Sequence, residues 1–280
     1  MTKIKIIEIK NALKEIVFFI QFGWTGSFVF SVFDFWGFCN RFILKVGTIM
    51  DYILPAGQLT CIIKTAMDIY WYGQAMFKLK GKTATVVIDP FSPEIGLKFP
   101  KVAEIEAQVV LSTHNHTDHN NISQVPGDPL QVTGPGEYEV SGVSITGTEV
   151  FHDNSNGSER GTNTIYNVLM DGVNIVHLGD LGHVLSEDQS ARIDNCDILL
   201  IPVGGVYTID GETAAKVVAQ LEPKVVIPMH YKLEGLQFNL SGVEEFLKQM
   251  GKENIAPQPK FSITKDKLPD ETEVVLLSKS

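Results

Sequence analysis

The sequence predicts an α/β fold in which helices cover the outer faces of sheets. Three observations support this fold class. Short apolar strand patterns separated by turns begin at Met67, strand and helix patterns alternate in the last third of the chain, and residues that commonly bind metals follow several of the predicted strands. With 44% apolar and 20% charged residues in 280, the composition is that of a folded globular protein.

The first part of this region is predicted to form sheets. Its strand patterns cover residues 68–72, 76–79, 84–88, 108–112, 130–133, 138–140, 143–150, 164–170 and 173–178. The dipeptide Asp171-Gly172 between the last two strands is strongly favoured in two-residue hairpins. In the remaining part, helix patterns at 186–193, 211–222 and 241–250 alternate with strand patterns at 197–203, 224–229 and 273–277. Helices placed between strands in this way pack on the faces of a sheet.

Residues 1–66 differ from the rest of the chain. Nine of the 16 phenylalanines precede residue 66, and residues 16–33 carry no charge. This stretch has about the minimum length for a membrane-spanning helix, and Lys3, Lys5, Lys10 and Lys14 precede it. Three interpretations stay open: a membrane anchor, a reading frame extended upstream of a start at Met67, and a packed element of the folded protein. We therefore predict an apolar extension, residues 1–66, and a separate domain, residues 67–280.

Charge and cysteine content restrict the partners. The formal net charge is −10, and nucleic-acid binding requires clustered Lys and Arg, so we expect a small-molecule substrate and no nucleic acid.

The three cysteines (Cys39, Cys61 and Cys196) lack the paired spacing of disulfide frameworks or thiolate metal sites, which fits a reducing compartment. We predict a cytoplasmic protein, with membrane anchoring through residues 16–33 as the alternative. The sequence also allows a homo-oligomer.

The densest group of functional residues lies in STHNHTDHNN, Ser112 to Asn121. All seven histidines of the chain fall between His114 and His230. His114, His116, Asp118 and His119 follow the predicted strand 108–112, and imidazole and carboxylate are the ligands expected for zinc or a similar divalent ion. The alternative is a polar loop that happens to be rich in histidine.

Later residues favour a complete metal site. His152, Asp180 and His230 each follow a predicted strand, namely 143–150, 173–178 and 224–229. Distant segments can converge on one site when each places a polar side chain just past the end of a strand.

HNHTDH resembles the HxHxDH signature of the metallo-β-lactamase superfamily, and the order His152, Asp180, His230 resembles its later metal motifs. The segments GTNTIYNV, HLGDLGHVLS, IPVGGVYTID and VIPMHY further resemble stand-alone bacterial and archaeal metal-dependent hydrolases related to the ascorbate-6-phosphate lactonase and phospholipase D groups. The resemblance runs from about Met67 to the C-terminus. It implies a four-layer αββα sandwich with the metals at one edge.

The resemblance also implies roles for individual residues. One metal would be held by His114, His116 and His152, a second by Asp118, His119 and His230, and Asp180 would bridge them. The metals would be zinc, with manganese or iron as alternatives, and a metal-bound hydroxide would attack a small ester, lactone or phosphoester. Asp118 and Asp180 are the predicted catalytic carboxylates, with His183 as a candidate proton donor.

Other residues are weaker candidates. An anionic substrate could be oriented by side chains near the metal-bearing loops: Arg160, Tyr207, Tyr231 and Lys232. Asp89 could support a histidine ligand, whereas His177, inside a strand, is predicted to be a core residue. The alternative functions are a non-catalytic metal-binding scaffold, a phosphodiesterase acting on a phospholipid or nucleotide, and an oxidative enzyme of the same superfamily.

Overall fold

The computed structural model describes residues 5–11, 14–22, 28–33, 39–40, 66–193 and 195–280. The chain divides into two compact units, Met1–Ile62 and Ile63–Ser280. The first unit contains an antiparallel sheet whose strands are adjacent in chain order: β1 (Lys5–Asn11), β2 (Lys14–Phe22), β3 (Phe28–Phe33) and β4 (Cys39–Asn40).

Strands β2 and β3 occupy most of residues 16–33, where one interpretation of the sequence placed a membrane-spanning helix. Among the residues that the structure describes, no helix combines the length and the apolar character that crossing a membrane requires.

The second unit contains two sheets. Its strands in chain order are β5 (Met67–Gly73), β6 (Met76–Lys80), β7 (Thr85–Ile88), β8 (Val109–Leu111), β9 (Leu130–Val132), β10 (Gly136–Val140), β11 (Val143–Phe151), β12 (Thr162–Met170), β13 (Val173–His177), β14 (Ile198–Pro202), β15 (Val225–Met229), β16 (Phe261–Ile263) and β17 (Glu273–Val274). One sheet has the order β16-β5-β6-β7-β8-β9 and the other β10-β11-β12-β13-β14-β15-β17. Each sheet changes from antiparallel to parallel pairing, at β7 in the first and at β13 in the second.

The helices of the second unit are short. They are α1 (Glu187–Arg192), α2 (Gly211–Leu221) and α3 (Glu244–Gln249), with 3-10 turns at Pro93–Ile95, Val102–Glu104, Ile122–Gln124 and Lys265–Lys267. Ser186 begins α1 with a capping box completed by Gln189, and Asp210 begins α2 by accepting the backbone N–H of Thr213. These caps satisfy backbone groups that a helix leaves unpaired at its start.

The main core lies between the two sheets and extends under the helices. Val86 and Ile88 of β7 point into this core, whereas Val87 between them belongs to a second cluster on the other face of the sheet. Val217 of α2 and Phe246 of α3 pack against the main core. The second cluster is covered by loops and 3-10 turns, with Ile95 buried there. The unit is thus an α/β sandwich, and the predicted fold class is confirmed.

All predicted strands and helices of residues 67–280 are present, with ends that differ by three residues or fewer. One further strand, β16, has three residues, pairs with β5 and was not predicted from the sequence. Because three residues are too few for an alternating pattern to stand out, β16 forms through its pairing partner more than through its own sequence.

Candidate metal centre

One edge of the sandwich collects the loops that carry the predicted ligands. Five strands end there, and each is followed within three residues by a polar side chain: Asp89 after β7, the Ser112–His119 segment after β8, His152 after β11, Asp180 after β13 and His230 after β15. Because the chain leaves a rigid sheet at these points, the side chains are aimed by the strands that precede them.

Three histidines form the first group of candidate ligands. His114, His116 and His152 each offer a ring nitrogen, and these atoms lie within 4.8 Å of one another. His114 Nε2 is 2.9 Å from His116 Nδ1. His114 and His152 are buried, whereas His116 is exposed at the cleft side of the group.

Four buried residues form the second group, again with candidate ligand atoms within 4.8 Å of one another: Asp118, His119, Asp180 and His230. His119 Nε2 lies 3.3 Å from Asp118 Oδ2 and 3.3 Å from Asp180 Oδ1. His230 Nε2 lies 3.2 Å from Asp180 Oδ2. This group therefore surrounds a point between two carboxylates and two imidazoles.

Asp180 also contacts the first group. Its Oδ2 lies 3.3 Å from His152 Nε2 and 4.0 Å from His114 Nε2, while the same oxygen faces His230 of the second group. The backbone N–H of Asp180 is held by Asn163 Oδ1 at 3.0 Å. Asp180 is thus the residue that the two groups share.

Asp89 and Thr113 orient two of the histidines from behind. Asp89 Oδ2 accepts a hydrogen bond from His119 Nδ1 at 2.8 Å and another from the Thr113 hydroxyl at 2.8 Å. Since that hydroxyl donates to Asp89, it accepts from His114 Nδ1, 3.0 Å away. Both imidazoles consequently carry a proton on Nδ1 and direct Nε2 at the centre, which is the usual arrangement behind histidine ligands.

Three residues at this edge have left-handed backbone conformations. Gln74, Asp89 and His230 have φ values of 50°, 49° and 51°. Such conformations are uncommon for residues with side chains and cluster at functional sites. The backbone of His230 packs closely against Gly204. A Cβ added to Gly204 would lie 2.2 Å from the His230 carbonyl oxygen, so only glycine fits at that position.

The electrostatics of the cluster favour bound positive charge around Asp180. Burial lowers the pKa of His114 to about 2, with a contribution from the neighbouring His119. Burial opposes charge on His230 as well, but the carboxylate of Asp180 outweighs it and raises the pKa of His230 to about 9. The pKa of His119 is likewise raised well above its ordinary value, because Asp180 and the other nearby carboxylates outweigh burial.

The buried polar atoms fit a metal centre. Among the described residues, His119 Nε2, His152 Nδ1, His230 Nδ1 and Asp180 Oδ1 are buried without a hydrogen-bond partner. His119 Nε2 and Asp180 Oδ1 face each other at 3.3 Å. When His119 is neutral and donates through Nδ1 to Asp89, both atoms are acceptors, and such opposed buried lone pairs are costly unless a proton or a cation lies between them. The donor set of imidazoles and carboxylates suits zinc, manganese or iron.

A cleft of about 530 Å³ opens onto this cluster. It is lined by Asn115, His116, Thr117, Asp118, Asn120, His152, Arg160, Asp180, Tyr207, His230 and Phe238. Arg160 lies on a loop that Asp153 organises by accepting four backbone N–H groups, including that of Arg160 itself. The Arg160 guanidinium lies over the Tyr207 ring, 5.7 Å from its centre, and Tyr207 packs edge-on against Phe238.

Several residues proposed from the sequence lie elsewhere. His183 lines a different cavity, where its Nε2 accepts from the Phe151 N–H and its Nδ1 donates to the Val184 carbonyl. The proton-donor role predicted for His183 does not fit this geometry, because both ring nitrogens are occupied by backbone groups. Tyr231 is buried against Trp71, and Lys232 is exposed but outside the cleft lining.

His177 is a buried core histidine, as predicted. Its Nε2 donates to the Ala75 carbonyl and its Nδ1 accepts from the Gly179 N–H. Sequence reasoning missed two residues that touch the ligands, Gln74 and Thr113. A glutamine beside a glycine in a turn carries no recognisable motif, and a threonine next to a metal motif is common on polar loops.

The comparisons with known proteins agree with this geometry. A model of the Beta-lactamase superfamily domain matches residues 68–230. A UPF0173 metal-dependent hydrolase of Methanoculleus marisnigri is 32% identical over 191 residues, which covers 59% of this chain and 81% of that protein. One from Thermoplasma volcanium is 30% identical over 187 residues, covering 59% and 83%.

Solved structures show the same relationship. A candidate Zn-dependent hydrolase of the metallo-β-lactamase superfamily from Thermotoga maritima is 37% identical, with a TM-score of 0.62, and the match covers 75% of this chain and 98% of that one. Igni18, a metallo hydrolase from Ignicoccus hospitalis, shares the fold at 20% identity, with a TM-score of 0.52 and coverage of 71% and 98%. The chain therefore belongs to the metallo-β-lactamase superfamily and is a metal-dependent hydrolase of that family.

Proposed function

We propose that this hydrolase binds two divalent cations, zinc or manganese, and cleaves a small ester, lactone or phosphoester that carries a negative charge. The observation that carries the proposal is the position of Asp180, whose carboxylate faces ring nitrogens of both ligand groups at 3.2 and 3.3 Å. Two cations bound close together require such a shared carboxylate, because it offsets their mutual repulsion.

The side chains of the cluster have distinct tasks in this proposal. His114, His116 and His152 would hold one cation, Asp118, His119 and His230 would hold the other, and Asp180 would be shared by both. When bound, the cations supply Lewis acidity toward the substrate oxygen and make a water molecule acidic at neutral pH. Burial would raise the pKa of Asp180, but His119 and His230 hold it well below its usual range, so Asp180 remains a carboxylate.

Asp118 is the carboxylate best placed to act on the substrate side. It lines the cleft, and it stays ionised because the neighbouring His119 lowers its pKa against the effect of burial. A carboxylate in this position can orient the attacking water by accepting its hydrogen bond.

Arg160 suits a negatively charged part of the substrate. Among the described residues that line the cleft, Arg160 is the one cationic side chain other than histidine. Its side chain is 32% exposed. Tyr207 and Phe238 beside it supply an apolar surface. The combination favours a substrate with an anionic group next to an apolar one.

The proposed function is tested by a substrate screen. Metal-loaded protein should hydrolyse at least one anionic lactone, carboxylic ester, thioester or phosphodiester in a panel that pairs each anionic compound with a neutral analogue. Turnover confined to phospholipids or nucleotides would favour the phosphodiesterase alternative. Metal-loaded protein that hydrolyses none of these classes would contradict the proposal.

We expect Arg160→Gln to weaken binding of an anionic substrate. A hydrogen bond to a charged group contributes about 1.5–3 kcal/mol, and partial exposure reduces this, so KM should rise about tenfold while kcat changes little. Steady-state kinetics with the anionic compound and its neutral analogue measure the effect. Lys232→Gln, which removes a nearby exposed cation outside the cleft lining, is the matched control. Equal losses on both compounds would contradict the anionic-group assignment.

We further propose that residues 67–280 form an autonomous domain and that residues 1–66 are not needed for catalysis. Every proposed ligand follows Met67. A chain beginning at Met67 should therefore fold, bind metal and turn over substrate as well as the full chain, as judged by thermal unfolding, metal content and kcat/KM. A shortened protein that cannot fold would show that residues 1–66 belong to the core.

The role of the extension is then tested on the native protein. Mass spectrometry of the native N-terminus distinguishes a start at Met67 from a start at Met1. Partition of the full chain, but not of the shortened chain, with membranes would support the anchor interpretation.

A further inference from the structure

Gln74 lies in the turn between β5 and β6, at the edge that carries the metal ligands, and it is fully buried. Its left-handed backbone, with φ of 50°, is held by two hydrogen bonds to its carbonyl oxygen. One comes from the backbone N–H of His230 at 3.0 Å and the other from Trp71 Nε1 at 2.9 Å. A strained backbone conformation is thus stabilised by a hydrogen bond from one of the candidate ligands.

The side chain of Gln74 ends among the second group of ligands. Its Nε2 lies 2.9 Å from Asp118 Oδ2 and 2.7 Å from His230 Nε2, and these two atoms are 3.7 Å apart. Its Oε1 is buried without a hydrogen-bond partner. A buried carbonyl oxygen without a partner destabilises the folded protein, so the amide orientation that brings Oε1 to a cation is favoured when a cation is bound.

Geometry favours the amide oxygen as the group that faces the centre. Ligand atoms at about 2.0–2.2 Å from one cation lie roughly 3 Å from each other, which is the separation between the Gln74 amide end and its two neighbours. A half-turn about the terminal bond exchanges Oε1 and Nε2 with little change of shape. An N–H at this position would compete with the cation for the His230 lone pair, whereas a carbonyl oxygen adds a lone pair.

We propose that Gln74 is a further ligand of the cation held by Asp118, His119 and His230, binding through Oε1. The proposal rests on the metal pair of the proposed function. It gives the second cation position a neutral oxygen ligand that the three-histidine position lacks. Mn²⁺ prefers carboxylate and carbonyl oxygens as ligands. The second position, which would have such oxygens, should therefore favour Mn²⁺ more than the three-histidine position does.

Three variants of the full chain test the proposal. Gln74→Ala removes the oxygen, Gln74→Glu keeps an oxygen of the same reach but removes the N–H donor, and Gln131→Ala on β9 alters an exposed glutamine as the matched control. Metal-free protein is titrated with Mn²⁺ and with Zn²⁺ by calorimetry. Metal content after dialysis and thermal unfolding of the metal-free variants are measured in parallel.

We expect wild-type protein and Gln131→Ala to bind two cations. Gln74→Ala should bind Mn²⁺ about 10- to 100-fold more weakly at one position and unchanged at the other, whereas Gln74→Glu should keep both positions filled. Weak binding by Gln74→Glu would assign the N–H donor as the important group and overturn the proposal, even if Gln74→Ala failed to fold.

The metal titration separates failure of the Gln74 ligand from failure of the two-cation site. Wild-type protein that binds fewer than two cations would overturn the proposed function and the Gln74 ligand together. Wild-type protein that binds two cations, with Gln74→Ala equal to it in affinity, would overturn the Gln74 ligand alone.

Discussion

Replacing Asp180 with asparagine should abolish hydrolysis while the protein remains folded. Asparagine has nearly the shape of aspartate but lacks its negative charge, so the two cation positions would lose the group that both share. Altering a group that only supports a ligand already costs about 10- to 100-fold in metal affinity or activity, and loss of a shared ligand should cost at least as much. Steady-state kinetics, metal content and thermal unfolding of the variant measure the effect.

Asp197→Asn is the matched control. Asp197 is also buried and hydrogen-bonded, but it precedes β14 at the edge opposite the metal centre, where it pairs with Lys265 at 2.7 Å. This variant should lower the unfolding temperature without changing the metal content. Turnover by Asp180→Asn at the wild-type rate, in protein that still holds its metals, would contradict the bridging role.

Much of the candidate metal centre could be predicted because its candidate ligands occupy repeated positions in the chain. His114, His152, Asp180 and His230 each follow a strand whose apolar residues are evident in the sequence. Asp180 and His230 follow β13 and β15, which belong to the parallel part of one sheet, so strand prediction alone places these two residues at the same edge. His152 follows β11 in the antiparallel part and His114 follows β8 of the other sheet, so their approach depends on how the two sheets pack.

The remaining features depend on tertiary structure. Gln74 reaches His230 only because the β5–β6 turn of one sheet meets the end of β15 in the other, and no local pattern encodes that meeting. His183 is the opposite case. It lies only three residues after Asp180, but its side chain points away from the candidate ligands and bonds the backbone of Phe151. Short sequence separation from a ligand does not determine which way a loop side chain points.

Chelation should abolish hydrolysis and also lower the unfolding temperature, because the buried carboxylates Asp118 and Asp180 would then lose the cations that offset their negative charge. A cation present at 1,000 times its dissociation constant stabilises a protein by about 4 kcal/mol. For a domain of roughly 200 residues this corresponds to about 10 °C. Differential scanning calorimetry of loaded and chelated protein measures the shift.

Restoration distinguishes loss of metal from damage to the protein. Adding back Zn²⁺ or Mn²⁺ should restore both turnover and the unfolding temperature, whereas Mg²⁺, which prefers all-oxygen surroundings, should restore neither. Full activity in thoroughly chelated protein would contradict metal-dependent hydrolysis.

Elemental analysis determines whether one chain holds a pair of cations around Asp180. Protein loaded with Zn²⁺ or Mn²⁺ and freed of excess metal by gel filtration should contain close to two metal ions per chain, and Asp180→Asn treated in the same way should contain one or none. Wild-type protein that retains only one metal ion, or none, after loading with either cation would contradict the dinuclear centre.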